Sequence, residues 1–205
     1  MAKTILQLTN LQWDPATLPD SALVLVCMQA EFRDGPLRLN NIDAAVDEAR
    51  TLLDRYRSAG APVVHVARDG DSGDFFDRVK PAGRFISELA PLPGELVLET
   101  RTPNPFVSTN LELLLRARNV VDIVFAGCSS HSSLSSAVRY ATEHGFRPTV
   151  VSSACATRDL PGPGGITLPA QVIHLSAMAS LADRHACVVE YASQIRAMKR
   201  ELLTG

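Results

Sequence analysis

The chain has 205 residues, 46% of them apolar, enough for one domain with a sizeable core. A net charge of -2 and a pI near 6.2 argue against a nucleic-acid or anionic-membrane surface. No apolar run reaches the ~18 residues of a spanning helix, and the opening "MAKTILQLTNLQWDP" is too mixed for a secretory signal, so a cytoplasmic location is expected.

In chain order, short apolar runs alternate with longer runs of helical period. "ALVLVCM" (22–28) reads as the first strand. The following "NNIDAAVDEARTLLDRYRSAG" sets Ile42, Ala45, Val46, Ala49, Leu52, Leu53 and Tyr56 on one helical face. Asn40 is placed to cap it, Asp43 falls in its first turn, and Gly60 closes it. "PVVHVA" (62–67) is the second strand. The polar, Gly/Pro/Asp-rich stretch after it reads as a long loop with a short helix, the kind of loop that often carries function. "ELVLET" (95–100) is the third strand. "STNLELLLRARN" is a helix with Thr109 and Glu112 spaced as a capping box. "VVDIVFAG" (120–127) is the fourth strand, and "SSLSSAVRYATEHG" is a helix closed by Gly145. "RPTVVSSAC" (147–155) is the fifth strand. "LPAQVIHLSAMASLADR" is a helix with Pro169 in its first turn. "ACVVEYA" (186–192) is the sixth strand, and "SQIRAMKRELL" (193–203) is a last helix.

These strands are continuous apolar runs rather than alternating ones. Strands of that kind are buried on both faces, as in a parallel sheet flanked by helices. The expected fold is therefore a three-layer α/β/α domain with a six-stranded parallel sheet, a single domain over 1–205. No repeat or linker interrupts it. In such folds ligands sit outside the carboxyl ends of the strands. The residues to inspect are Cys27 to Phe32, His65 to Asp69, Glu99 to Phe106, Gly127 to Ser133 and Cys155 to Asp159.

Four segments at those strand ends carry a resemblance. "MQAEF" is similar to D-x-Q-x-x-F without its Asp. "TRTPNPFVSTNLELLLRARN" is similar to K-R-x-P-N-A-F-x-G-T-x-L. "GCSSHSSLSSAVRYATEHGF" is similar to G-x-x-T-H-x-C-V-x-x-T-A-x-x-A-x-x-x-G-Y. "SSACATRDLPGPGG" is similar to A-D-A-C-A-T-R-D-L-P. Together they resemble the isochorismatase-like hydrolases, the superfamily of nicotinamidases, carbamoyl-amide hydrolases and isochorismatases, from about Ala22 to Tyr191.

The resemblance implies a triad: an Asp as general base and acid, a Lys that holds charge and orientation, and a Cys that attacks an amide carbonyl. A thiolate is favoured by an ammonium and a helix N-terminus, and a carboxylate accepts its proton. In this sequence the Asp position falls on Cys27, the Lys position on Thr100 and the nucleophile position on Ser133. All three are replaced. "MQAEF" fixes the register, so Cys27 occupies the place of the base and is not a displaced nucleophile. A serine hydroxyl is a poor nucleophile without a base, Thr100 offers no charge, and Cys27 beside no obvious cation is expected to stay a thiol. Isochorismatases dispense with the Cys but keep the Asp, which is absent here too. Gln29, Phe32, Phe106, Cys128, Ser129 and His131 are expected around the same pocket. The family's non-proline cis peptide falls on Cys128–Ser129, and the preserved loop length predicts that it is cis.

Other candidates have plainer readings. Cys27, Cys128, Cys155 and Cys187 show no C-x-x-C spacing and read as reduced, mostly buried thiols. Cys128 reads as packing, His131 as either a ligand contact or a polar residue satisfying its loop, and His65 as a satisfied core histidine. Arg101 is a possible replacement cation or a surface arginine, whereas Glu99 is one residue too early to face the way Thr100 does. Asp69, Asp71, Asp74 and Asp77 read as a solvated loop in preference to a hard-ion site, so no metal is expected. Arg158 and Asp159 read as a loop ion pair. No G-x-G-x-x-G or P-loop is present, so no cofactor is expected.

Three functions remain open, in order of preference. The first is a degenerate hydrolase-fold protein that binds a small molecule or a partner without triad chemistry. The second is an active hydrolase of a small amide, carbamoyl or vinyl-ether substrate using Cys27 or Ser133. The third is a structural subunit beside an active homologue. The resemblance also implies a homo-oligomer, dimeric or larger.

Overall fold

The computed structural model describes residues 2–197. The chain begins with a short helix α1 (Ile5–Leu8), followed by β1 (Ser21–Val26), α2 (Ile42–Ser58) and β2 (Val63–Arg68). Next come β3 (Leu96–Thr100), α3 (Pro105–Ser108), α4 (Leu111–Arg116), β4 (Asp122–Cys128) and α5 (Ser135–Glu143). The chain continues with β5 (Arg147–Ala156), the two-residue strands β6 (Leu160–Pro161) and β7 (Thr167–Leu168), α6 (Ala170–Arg184) and β8 (Cys187–Val189).

Six strands form one parallel sheet in the order β3-β2-β1-β4-β5-β8. Helices cover both faces, giving the three-layer α/β/α fold. Every residue of β1 and β4 is buried, which is why these strands read as unbroken apolar runs. The α2 face predicted from its period is the buried one, residue for residue from Ile42 to Tyr56. Each large side chain on that face contributes about 1.5–3 kcal/mol of burial.

The strand order changes direction between β1 and β4. The chain leaves β1 toward β2 and β3, then returns to pair β4 on the other side of β1. In open parallel sheets, ligands bind at the carboxyl ends of the strands at a switch point of this kind. There Gly127 pairs with Val26 at a φ of 139°, and a Cβ on it would stand 2.1 Å from the Val26 carbonyl oxygen. The close backbone approach therefore requires glycine.

Several expected elements shift. The first strand stops at Val26 because Cys27 takes a left-handed φ of 53°. Asn41, not Asn40, precedes α2, and its side chain makes no capping bond. The Thr109–Glu112 capping box does not form. Thr109 Oγ1 accepts from Leu111 N and donates to Pro105 O, while Glu112 turns to Arg116 and Tyr140. The helix expected from Ser132 begins as a π-turn over Ser130–Leu134 before α5. The last strand is shorter than expected, because Arg55 gathers the carbonyls of Ala192 and Ile195 into a turn. The expected tail helix lies outside the described residues from residue 198 on, and its described start is a 3-10 turn at Ala192–Gln194.

Candidate functional site

Cys27 follows β1 directly. Its N–H donates to Val66 O at 2.8 Å, and its carbonyl accepts from Gln29 N at 2.9 Å. It is wholly buried, with its thiol hydrogen-bonded to Ser133 and close to Arg68. Burial pushes its pKa up to about 12, against the smaller downward pull of the Arg68 charge, the Ser133 bond and the Arg68 N–H. The left-handed backbone at Cys27 turns the chain off the sheet at the switch point.

Ser133 comes to this thiol from the π-turn that opens α5. The turn is preceded by the Cys128–Ser129 peptide, which is cis as the loop's length predicts. Ser129 O accepts from Ser132 N at 3.1 Å and Leu134 N at 3.3 Å, tying the loop to the turn. Cys27 and Ser133 are thus brought together.

Thr100 closes β3 opposite Arg68 and is wholly buried. Its hydroxyl is taken up locally, 2.6 Å from Ser108 Oγ and 2.9 Å from Thr102 O. This network belongs to the turn leading into α3. No carboxylate hydrogen-bonds Cys27 or Ser133 among the described residues.

The neighbouring residues hold the frame. The Gln29 amide clamps the end of β2, with Oε1 accepting from Arg68 N at 2.7 Å and Nε2 donating to Arg68 O at 2.9 Å and Gly83 O at 2.7 Å. With all three bonds made inside the chain, Gln29 serves as a brace. Phe32 meets Phe76 edge-on at 5.1 Å, and Phe106 stacks on Tyr140 at 4.9 Å. Buried Cys128 packs its sulfur 3.6 Å from Met28 Sδ, and burial raises its pKa well above the usual thiol value. His131 Nδ1 lies 2.5 Å from Thr157 Oγ1, with its pKa lowered first by burial and then by Arg158.

The residue that sequence reasoning missed is Arg68. Each of the other half-buried arginines, Arg33, Arg55, Arg57, Arg78 and Arg139, has a side-chain bond to a carboxylate, carbonyl or hydroxyl. Arg68 alone has none among the described residues, and its charge reaches Cys27. Its place at a strand end was the available signal. Arg101 does not replace the lysine, because it is exposed and paired with Asp71 at 2.9 Å and Asp69 at 3.4 Å.

The remaining candidates are structural in geometry. Asp77 accepts from Gly73 N at 2.9 Å and Val79 N at 3.0 Å. His65 Nε2 meets Glu95 Oε2 at 2.8 Å in the core. Asp159 makes no pair with the Arg158 guanidinium. Its Oδ1 accepts from Ala170 N at 2.8 Å at the start of α6, while Arg158 donates to Asp159 O. All four cysteines are free thiols, and no helix of the described residues is long and apolar enough to cross a membrane.

Comparison with known proteins gives a consistent picture. The Isochorismatase domain family model matches residues 21–165. A secreted isochorismatase effector of Verticillium dahliae is 32% identical over 169 residues, covering 82% of this chain and 86% of that protein. A streptothricin hydrolase of Streptomyces noursei is 31% identical over 188 residues, covering 88% of this chain and 75% of that protein. The crystal structure of an isochorismatase from Pseudomonas putida KT2440 superposes with a TM-score of 0.91 at 42% identity, covering 94% of this chain and 99% of that one.

Proposed function

The chain belongs to the isochorismatase family, and on that premise we propose that it binds a small molecule at the β1–β4 switch point without carrying out the family's triad chemistry. The observation that carries this reading is the Cys27–Ser133 pair itself. A thiol with a pKa of about 12 stands where the family's proton acceptor belongs, bonded to a hydroxyl where its nucleophile belongs. At pH 7 such a thiol is ionised to roughly one part in 10⁵, so it is neither a base nor a ready nucleophile. Ser133 has no stronger base to activate it, and a serine without a base is a poor nucleophile. Thr100 brings no charge in place of the lysine.

Restoring the triad tests this reading. The triple variant Cys27→Asp, Thr100→Lys, Ser133→Cys is expected to hydrolyse nicotinamide or a carbamoyl amide above the wild-type rate, which stays at the uncatalysed background. Wild-type turnover of these compounds above the uncatalysed background would overturn it.

Two further features belong to the same proposal. A homo-oligomer is supported by Val172 and Leu175, large apolar side chains exposed on α6, and light scattering at a single monomer mass would contradict it. A cytoplasmic location is supported by the four free cysteines, whereas the Verticillium relative is a secreted protein. Fractionation of the producing cells decides between the two.

A further inference from the structure

A cavity of about 530 Å³ lies at the carboxyl end of β5, between the first turns of α2 and α6. Cys27, Thr100 and Ser133 are not among its lining residues. Its polar lining includes Asn40, Asn41, Ser152, Ser153, Thr157 and His174, and no charged side chain lines it. A charged ligand entering such a space would lose its hydration without gaining a partner, so the lining suits an uncharged one.

One wall carries an ordered relay. Ser152 Oγ is 3.0 Å from His174 Nε2, and His174 Nδ1 is 3.3 Å from Ser130 Oγ. Ser130 is wholly buried, so its hydroxyl is held in place. In the tautomer protonated at Nδ1, Nδ1–H donates to Ser130 and Nε2 accepts from Ser152. Burial lowers the His174 pKa from 6.5, which keeps the imidazole neutral and able to accept a proton at pH 7. A hydroxyl within reach of a base, with the base oriented by a third group, is the arrangement that activates a serine. One backbone donor belongs to a residue that lines the cavity. Asp159 takes the N–H of Ala170, while the N–H of Gln171 has no acceptor within the helix.

We infer that Ser152 and His174 form a second site, one that transfers the acyl group of a small uncharged ester. Ser152 Oγ bonds to the ester carbonyl carbon as its proton passes to His174 Nε2. The carbon–oxygen bond to the leaving alcohol breaks, and the alcohol takes that proton. Water then attacks the acyl-serine and gives a proton to His174. That proton returns to Ser152 Oγ as the carboxylic acid leaves, so ester and water become acid and alcohol. Ser130 belongs to the same π-turn as Ser133, but Cys27, Thr100 and Ser133 do not line this cavity.

A serine-directed fluorophosphonate tests the assignment on the full chain, read by intact mass and peptide mapping. The expected result is one adduct, on Ser152, absent in Ser152→Ala and formed about 10²-fold or more slowly in His174→Gln. Hydrolysis of p-nitrophenyl acetate is expected to fall in parallel. If Ser152→Ala does not fold, Ser152→Cys carries the test, with alkylation by iodoacetamide near neutral pH that slows when His174→Gln is added. No adduct, an adduct mapping to Ser133 or elsewhere, or labelling undiminished by His174→Gln would overturn the assignment.

Discussion

Cys27 is fixed by three neighbours: the Val66 carbonyl and the Arg68 charge, both on β2, and the Ser133 hydroxyl. Burial dominates them and keeps the thiol protonated. A raised pKa means that the folded state favours the neutral form. The stability this contributes is complete below 9.0, the ordinary value, and is lost as pH rises toward about 12. Iodoacetamide at pH 7.5 is therefore expected to leave Cys27 unmodified in the native protein and to alkylate it once the chain is unfolded in urea. Peptide mapping that finds rapid native modification would contradict this account of the thiol. The position of Cys27 was legible in the sequence because "MQAEF" fixes where β1 must end. Arg68 was not legible in the same way. Its significance comes from lying beside Cys27 with no carboxylate of its own, a fact of strand order and side-chain pairing that spacing along the chain does not carry.

At the scale of elements, the ion cluster beneath the third strand shows how α2, β2 and β3 are tied. Glu95 accepts from Arg57 at 2.7 Å, from Leu92 N at 2.8 Å and from His65 at 2.8 Å. Burial raises the Glu95 pKa, but the three bonds together outweigh it and bring the value from 4.5 to about 2. The sign follows: this stabilisation is present above pH 4.5 and is lost as pH falls through about 2. Glu95→Gln is expected to cost about 2 kcal/mol in urea unfolding at pH 7, with the difference from wild type shrinking between pH 4.5 and 2. An unchanged difference across that range would show that the carboxylate charge is not what matters. The strands and the α2 face were readable because burial on one stripe or both faces writes a period into the sequence. Helix starts were less readable. Thr109 satisfies Leu111 N and Pro105 O locally, and Glu112 finds Arg116 and Tyr140, so a correct capping spacing lost to tertiary partners.

For the whole molecule, one continuous cluster of buried side chains runs from Ala16 through the sheet to Ile195. A single domain over 1–205 is the corresponding proposal, and it predicts that near-UV circular dichroism and Trp13 fluorescence lose signal in one coincident transition. Leu53→Ala, on the wholly buried face of α2, is expected to lower that stability by about 2–5 kcal/mol. Separate transitions would divide the chain into independent units. The fold was readable throughout because the alternation of strand and helix has few solutions, whereas function depends on a handful of side chains that the fold does not dictate. The central claim is that the substituted positions perform no triad chemistry. Its most direct test is steady-state hydrolysis of nicotinamide, a carbamoyl amide and isochorismate by the wild-type protein beside Ser133→Ala, followed by mass spectrometry of the products. The account predicts that both proteins stay at the no-protein background with all three compounds. Robust wild-type turnover that disappears in Ser133→Ala would contradict it.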